Sequence, residues 1–328
     1  MVQTMKLFIS LIAIVLPFFS AGPLRAADEF HWVNQPQAGT ADLLYGDQPV
    51  LRYMYGFDGS TPQARDDTSK VYHHVFGPGT KTLITKGTGG LYPHHRGLFV
   101  GWRETSFAGG RLDFWHCIKG EHQRHHKLLA QTGDASQGSM TSEIHWNDAN
   151  GKPVIIETRT VTARSGSVGN SWQIDWQTSL ASERGRVTLD GDRQHAGFQF
   201  RAAQSVAESN GARYVRPSGF PEQSEAFEGT DKDIPPLHVD LGWLAMTYSV
   251  DGRQYTVEYF EDPSLPKPSR YSERPYGRFG AFFKTTLEPD KPFELRYRLH
   301  VTSGPPPSRE VIQKRYDEFV AELGKERK

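Results

Sequence analysis

The sequence predicts an all-β protein, built as a large antiparallel β-sandwich with one C-terminal helix. Residues 171–180 alternate strictly, with apolar side chains on one face and polar side chains on the other. Residues 293–301 repeat this alternation near the C-terminus. Between residues 142 and 161, two extended segments flank Asn150-Gly151, a dipeptide typical of a hairpin turn.

Further extended segments complete the predicted sheets, separated by many of the 32 glycines and 21 prolines. Their number favours a large two-sheet supersandwich, and the sequence has no repeat with the period of a propeller blade. These strands are predicted at residues 50–56, 71–76, 97–103, 113–117, 124–131, 186–190, 196–203, 239–250, 254–261 and 278–287.

A single helix is predicted at residues 308–326. Ser308 is suited to the N-cap position, and Glu310 places an acidic side chain in the first turn. Apolar side chains then recur at helical spacing, which predicts that the helix packs on the outside of a sheet. These side chains are Ile312, Tyr316, Phe319, Val320 and Leu323.

The first 26 residues have the layout of a secretory signal peptide, ahead of a single β-sandwich domain at residues 27–328. A lysine precedes a 13-residue apolar segment, Leu7 to Phe19, and small residues follow it. The apolar segment is too short to span a bilayer as a helix. Cleavage after Gly22 and cleavage after Ala26 both fit the pattern, and a retained N-terminal anchor is the alternative. The sequence therefore predicts a periplasmic or secreted protein.

The charge of the chain is balanced, with 38 Lys and Arg against 38 Asp and Glu. A neutral protein lacks the long-range field that gathers polyanions, which argues against nucleic acid as a partner. After the signal region no apolar stretch approaches 20 residues, and the mean hydropathy is −0.59. We therefore predict no membrane span in the mature chain and a small-molecule or oligosaccharide substrate. The oligomeric state cannot be read from the sequence.

Eight of the 13 histidines lie between residues 73 and 126. The stretch LYPHHRGLFVGW (91–102) places two of them and an arginine just before a predicted strand. If strands 97–103 and 113–117 pair as a hairpin, the stretch RLDFWHCIKGEHQRHH (111–126) joins this group at one end of the sandwich. A carboxylate beside an imidazole orients the ring and raises its basicity, as acid–base catalysis requires. The predicted catalytic residues are His94, His95, Arg96, Asp113, His116 and His122.

In this hypothesis one histidine moves a proton, Asp113 orients it, and Arg96 or Arg201 stabilises developing negative charge on oxygen. Aromatic faces are suited to the apolar faces of sugars. Two further polar residues of the strand that carries Arg201, His195 and Gln199, are weaker candidates. The predicted substrate-binding residues are Trp102, Trp115, His125, His126, Glu157 and Arg201.

Two other functions remain open at this point. The same histidines could bind a divalent metal, because neutral imidazole is the commonest metal ligand, although their spacing matches no compact metal motif. No cofactor is certain, and the identity of a metal is unknown. Alternatively, the protein is a non-catalytic carbohydrate-binding sandwich that uses Trp102 or Trp243 as its platform.

Several of these segments resemble the PmoA-like family of secreted bacterial proteins over residues 45 to 304. The resemblance rests on YPHHRGLFVGW, DFWH, a Gly-Phe-x-Phe-Arg strand, Tyr276-Gly277 and LRYRLHVTSG. The Gly-Arg-Arg element that usually precedes a tryptophan is replaced here by VDLGWLAM (239–246). Any function that those arginines carry in the family is therefore in doubt for this chain.

The resemblance implies a secreted β-sandwich similar in outline to the mutarotase-like supersandwich, and a family common in bacteria that degrade polysaccharides. Such a fold analogy is an associational argument only. Members of the family carry the label of a methane oxygenase subunit. A membrane methane monooxygenase subunit needs apolar spans, which the mature sequence lacks, so that activity is excluded. The sequence predicts a carbohydrate-active protein, and an acid–base enzyme of the hydrolase, lyase or epimerase type is favoured.

Overall fold

The fold was obtained as a computed structural model that describes residues 1, 28–166, 170–220 and 238–327. Residues 2–26 of the predicted signal segment lie outside the described residues. The described part of the chain is dominated by β-strands, as the alternating patterns predict. No helix within it is both long and apolar enough to cross a membrane.

In the described ranges the strands follow one another along the chain with only short helices between them. In chain order they are β1 (Phe30–Gln35), β2 (Thr40–Tyr45), β3 (Gln48–Met54), β4 (Tyr72–Val75), β5 (Leu98–Trp102), β6 (Glu104–Phe107), β7 (Gly110–Leu112), β8 (His122–Gly133), β9 (Gln137–Asn147), β10 (Pro153–Ser165), β11 (Ser171–Ser182), β12 (Val187–Asp190), β13 (Ala196–Arg201), β14 (Arg213–Val215), β15 (Trp243–Val250), β16 (Arg253–Glu261), β17 (Arg270–Arg274), β18 (Arg278–Phe282), β19 (Thr285–Leu287) and β20 (Phe293–Ser303).

The strands form two eight-stranded antiparallel sheets and one small four-stranded sheet. The first sheet has the order β1-β2-β3-β4-β5-β13-β18-β17. The second sheet has the order β14-β15-β16-β20-β11-β10-β9-β8. The small sheet, with the order β19-β12-β6-β7, is an addition that the sequence does not predict.

The two large sheets face each other across one hydrophobic core. Phe198 of the first sheet packs on Trp176 and Tyr297 of the second, with ring centroids 4.7 and 4.6 Å apart. The predicted alternation in β11 is confirmed, since Trp172, Ile174 and Trp176 are all buried in this core. The large antiparallel β-sandwich is therefore confirmed. The predicted hairpin is confirmed too, because β9 and β10 pair on either side of the turn.

The predicted C-terminal helix is confirmed as α3 (Arg309–Glu326). The Ser308 side chain caps it by accepting a hydrogen bond from the main-chain N–H of Val311. Ile312, Phe319 and Leu323 are buried against the outer face of the second sheet. Three short helical segments that have no apolar stripe are also present: a 3₁₀ turn (Pro36–Ala38), α1 (Pro62–Thr68) and α2 (Gln204–Ser209).

The predicted strand at 113–117 is wrong, because this segment is a compact turn. The Asp113 carboxylate accepts hydrogen bonds from the main-chain N–H groups of Trp115 and His116, at 2.9 and 2.8 Å. Such local side-chain bonds compete with strand pairing. The predicted hairpin with 97–103 is therefore absent, and β5 pairs instead with β4 and β13.

A second, smaller apolar cluster covers the outer face of the first sheet. It consists of Tyr72, Phe99 and Trp115, and it is separate from the main core. In β5 the neighbours Leu98 and Val100 belong to the main core, so Phe99 points to the opposite side. The turn that carries Trp115 therefore lies over the outer face of the sheet, and this places the candidate site.

Candidate functional site

Two aspartate–histidine pairs of the same design meet above the outer face of the first sheet. Nδ1 of His116 lies 2.7 Å from a carboxylate oxygen of Asp113. Nδ1 of His195 lies 2.9 and 3.0 Å from the two carboxylate oxygens of Asp192. The two imidazole rings are 4.9 Å apart. Each carboxylate fixes its ring, so that Nε2 is the ring nitrogen left for other partners.

His94 completes the cluster. Its ring lies 4.7 Å from that of His116 and 6.0 Å from that of His195. One nitrogen from each of the three rings lies within 4.8 Å of the other two. Ligand nitrogens around a tetrahedral zinc ion, each about 2.1 Å from it, are about 3.4 Å apart. Small ring adjustments would therefore bring the three nitrogens to coordination distance.

The electrostatics keep the imidazole of His94 unprotonated and the carboxylate of Asp192 ionised. Burial and the nearby Lys70 and His116 lower the pKa of His94 to about 2. Nε2 of His94 is buried and has no hydrogen-bond partner among the described residues. Although burial opposes it, the hydrogen bond from His195 lowers the pKa of Asp192 to about 2. The site thus combines a neutral imidazole with an ionised carboxylate, as metal ligation requires.

Two of the three loops that carry the cluster are tied together and locally strained. The Lys70 ammonium donates to the main-chain carbonyls of His94 and Trp115, one on each loop. Tyr92 and Cys117 adopt positive φ angles of 55° and 61°, which non-glycine residues rarely do. Strain of this kind concentrates at functional sites, because the surrounding contacts must enforce it.

An aromatic group lies beside the histidines. The His95 ring is 4.1 Å from the His94 ring and stacks on Tyr276 at 5.9 Å. Tyr276 in turn stacks on Tyr92 at 4.3 Å, and Tyr92 is 44% exposed. Trp115 lies beneath the rings, with its centroid 6.0 Å from that of His95. The site therefore has an apolar floor and an exposed aromatic edge.

The structure places Arg96 in a supporting position. Its guanidinium donates to the main-chain carbonyls of Pro93, Asp67 and Asp66 at 2.8, 2.9 and 3.1 Å. The residue is only 3% exposed. Arg96 therefore joins the histidine loop to the end of α1, and its donors are engaged away from the cluster.

His122 and His125 lie in a different part of the protein. His122 stacks on Phe57 at 4.4 Å, and His125 makes a hydrogen-bond contact of 3.0 Å with Tyr53. His125 lines a cavity of about 430 Å³ together with Tyr55 and Phe57. The structure does not bring these two histidines to the cluster.

His126 belongs to a second group of metal-type ligands on β8 and β9. Its ring stacks on that of His145 at 4.1 Å, and Glu143 lies 2.9 Å from Nε2 of His145. The Lys127 ammonium lies 3.2 Å from the same Glu143 carboxylate and competes with a cation for it. Within the described ranges, Glu143 is the one carboxylate that contacts either imidazole. The His94/His116/His195 cluster is therefore the stronger metal candidate.

Two predicted substrate-binding residues are part of the interior. Trp102 is 0% exposed, lies in the main core and donates its indole N–H to the carbonyl of Phe283 at 3.3 Å. Glu157 is also 0% exposed and accepts hydrogen bonds from Arg159 at 2.7 and 3.0 Å. Both side chains lie within the sandwich, away from the histidines.

The main addition to the predicted site is Asp192, which pairs with His195, a residue that the sequence indicates only as a weaker candidate. The sequence carries a signal for it, since Asp113-Phe-Trp-His116 and Asp192-Arg-Gln-His195 share the spacing D-x-x-H. In both copies the aspartate binds the histidine three residues later. A search for this repeated spacing would have found the second pair.

The chain belongs to the family of unknown function DUF6807. It matches that family over residues 40–317, which is most of its length. No protein of curated function matches the sequence at a significant level. The resemblance to the PmoA-like proteins stays a prediction.

Some solved structures are similar in outline. One is the galactosidase domain of an alpha-galactosidase-sucrose kinase, with 11% identity, a TM-score of 0.40, and coverage of 84% of this chain and 42% of that chain. This chain therefore spans less than half of that domain's length. Another is a galactose mutarotase related enzyme from Lactobacillus acidophilus, with 8% identity, a TM-score of 0.33, and coverage of 84% and 97%. A galactose mutarotase-like protein from Clostridium acetobutylicum has 11% identity, a TM-score of 0.36, and coverage of 84% and 98%. These distant likenesses indicate no activity.

Proposed function

We propose that the protein is a secreted carbohydrate-active enzyme of the hydrolase, lyase or epimerase type, centred on a divalent metal held by His94, His116 and His195. The observation that carries the proposal is the convergence of three imidazoles, two of them backed by their own aspartates. Three protein ligands with one open position are typical of catalytic zinc sites. A metal bound there would supply Lewis acidity or an activated water.

Other residues of the chain would orient the metal ligands and bind the substrate. Asp113 and Asp192 hold the Nδ1 protons of their histidines, which leaves Nε2 unprotonated towards the cluster. The exposed ring of Tyr92, stacked on Tyr276, offers a platform for the apolar face of a sugar. The apolar segment at residues 7–19 supports secretion.

A second candidate is acid–base catalysis by the same residues without a metal. It is favoured by the Asp113–His116 and Asp192–His195 pairs, each of which has the arrangement that a general base needs. The alternative of a non-catalytic carbohydrate-binding protein relies on Trp102 or Trp243 as the sugar platform. Neither side chain can serve, because both are at most 1% exposed.

Metal content and turnover on glycan pools test the proposal together. Protein purified without chelator should contain about one zinc-class ion per chain, and His116→Ala or His195→Ala should abolish both the metal and the turnover. His145→Ala, in the second histidine group, is the matched control and should change neither. Turnover that survives chelation but not His116→Ala would favour the metal-free mechanism. A metal lost only in His145→Ala would refute the assignment of the centre.

A further inference from the structure

A row of buried arginines crosses the outer face of the first sheet next to the histidine cluster. Arg201 on β13 lies directly opposite Arg278 on β18, and Arg278 lies opposite Arg274 on β17. Residues directly opposite on antiparallel strands point to the same face with Cβ atoms about 5 Å apart. Phe200 and Phe279 belong to the main core, so the neighbouring arginines point to the outer face.

Two of these arginines lack the partners that buried cations normally have. Arg201 and Arg278 are 0% and 1% exposed. Among the described residues, Nε and one terminal nitrogen of Arg201, and Nε of Arg278, have no hydrogen-bond partner. Within the described ranges neither guanidinium forms an ion pair with a carboxylate, and their bonds go to the carbonyl of Tyr276 and the hydroxyl of Ser272. A like-charge pair of this kind is costly when nothing neutralises it.

Other polar groups around the row are also unsatisfied. Both nitrogens of His95 and both polar side-chain atoms of Gln199 are buried and find no partner in the part of the chain that the structure describes. Burial, opposed in part by Tyr276, and the neighbouring Arg278 together lower the pKa of Arg201 to about 10. These side chains lie in one region of positive charge, and most of their unsatisfied atoms are hydrogen-bond donors.

We propose that this row binds the carboxylate of a sugar acid, so that the substrate of the neighbouring histidine centre is an anionic sugar of the uronate class. The guanidinium fork matches a carboxylate, and charge-assisted bonds are about twice as strong as neutral ones. Tyr276 connects the two parts of the site. Its ring lies 5.0 Å from the Arg201 guanidinium carbon on one side and stacks on His95. The inference that the ligand is a sugar acid rests on the function proposed above. The inference that the row binds an anion rests on the arginines.

Entry to the row requires one movement. Tyr92 stacks on Tyr276 and thereby shields Arg201. Tyr92 lies on a loop, is half exposed and has a positive φ of 55°. We place the entrance there, with the Tyr92 ring turning away from Tyr276 to admit the carboxylate while it remains the platform for the sugar ring.

The experiment compares ligands on chelator-treated full-length protein by calorimetry. D-glucuronate and D-galacturonate should bind about ten- to a hundredfold more tightly than D-glucose, the range expected for charge-assisted hydrogen bonds. Acetate and inorganic phosphate test whether the carboxylate alone is sufficient, and both should bind more weakly than the sugar acids. Equal binding of glucose and glucuronate would overturn the proposal. Phosphate or acetate binding as tightly as the sugar acids would assign the site to a free anion instead.

Variants locate the binding. Arg201→Met and Arg278→Met should each lower glucuronate affinity by about tenfold or more, while the melting temperature stays equal or rises because a buried like-charge pair is removed. Arg253→Met, an exposed arginine on the second sheet, is the matched control. Wild-type affinity in both variants would refute the site, and if either fails to fold the ligand panel still decides. A zinc titration of the wild-type protein separates the two proposals, because a protein that binds glucuronate but no zinc would refute only the proposed function.

Discussion

Asp192 accepts a hydrogen bond from His195. Asp113 accepts one from His116 in the same way, on a loop that is distant in the sequence. In both pairs the two residues are three positions apart, and in both the contact is made by Nδ1. Because the pair is repeated, two of the histidines have a fixed orientation. In each, the carboxylate determines which ring nitrogen faces the cluster.

The first prediction concerns these carboxylates. Asp113→Asn and Asp192→Asn should each weaken zinc affinity about 10- to 100-fold, the usual cost of losing a partner behind a metal ligand. The cause is that an amide can donate to Nδ1 and thereby move the ring proton to Nε2. Calorimetric zinc titration measures the change. Asp47→Asn, whose side chain is 83% exposed, is the control and should match the wild type. Unchanged affinity in both variants would show that the pairs serve another purpose.

Much of the fold could be predicted because it depends on local patterns. The alternation at residues 171–180 follows from burial of one face, and the C-terminal helix follows from its cap and apolar stripe. The segment at 113–117 was predicted wrongly because its apolar residues outweighed the turn signal of Asp113. Its side chain binds the next main-chain N–H groups and turns the chain.

The site could be predicted only in part, because its contacts join segments far apart in the sequence. The local density of polar residues predicts His94, His95, Asp113 and His116, and these residues do meet. His195 directly precedes β13, far from the other histidines in the sequence. It reaches the cluster only because β13 pairs with β5. The arginine row has the same origin, because it depends on strand register, which single-strand patterns do not contain.

The second prediction concerns Lys70. Lys70→Met should lower zinc affinity and reduce the free energy of unfolding by about 1–3 kcal/mol, because the carbonyls of His94 and Trp115 lose their shared donor. Zinc calorimetry and urea denaturation measure the two effects. Lys127→Met, with a half-exposed side chain, is the control. Full zinc affinity in Lys70→Met would mean that the loops hold their positions without this contact.

The third prediction separates structure from function at the buried pair of Glu157 and Arg159. Arg159→Ala should lower the free energy of unfolding by about 3–5 kcal/mol, because an uncompensated carboxylate stays buried. Zinc binding by the folded fraction should be unchanged. Arg164→Ala, at a partly exposed ion pair, should cost less than about 1 kcal/mol. A loss of zinc affinity without loss of stability would instead place Arg159 in the site.

The fourth prediction concerns the pH dependence of stability at Glu258, which contacts Arg315 of α3. Burial raises the pKa of Glu258 from 4.5 to about 7, even though the arginine opposes it. The folded state therefore holds this proton more tightly than the unfolded state. The resulting stabilisation is complete below about pH 4.5 and is lost as the pH rises through about 7.

Glu258→Gln mimics the protonated form and removes this dependence. Relative to wild type, its free energy of unfolding should be similar at pH 5 and higher at pH 8, by at most about 3 kcal/mol for a shift of this size. Urea denaturation at several pH values gives the difference, and Glu294→Gln, exposed on β20, should show none. If Glu258→Gln is instead the less stable protein at pH 8, the ion pair with Arg315 outweighs burial, and the helix is held to the sheet by charge.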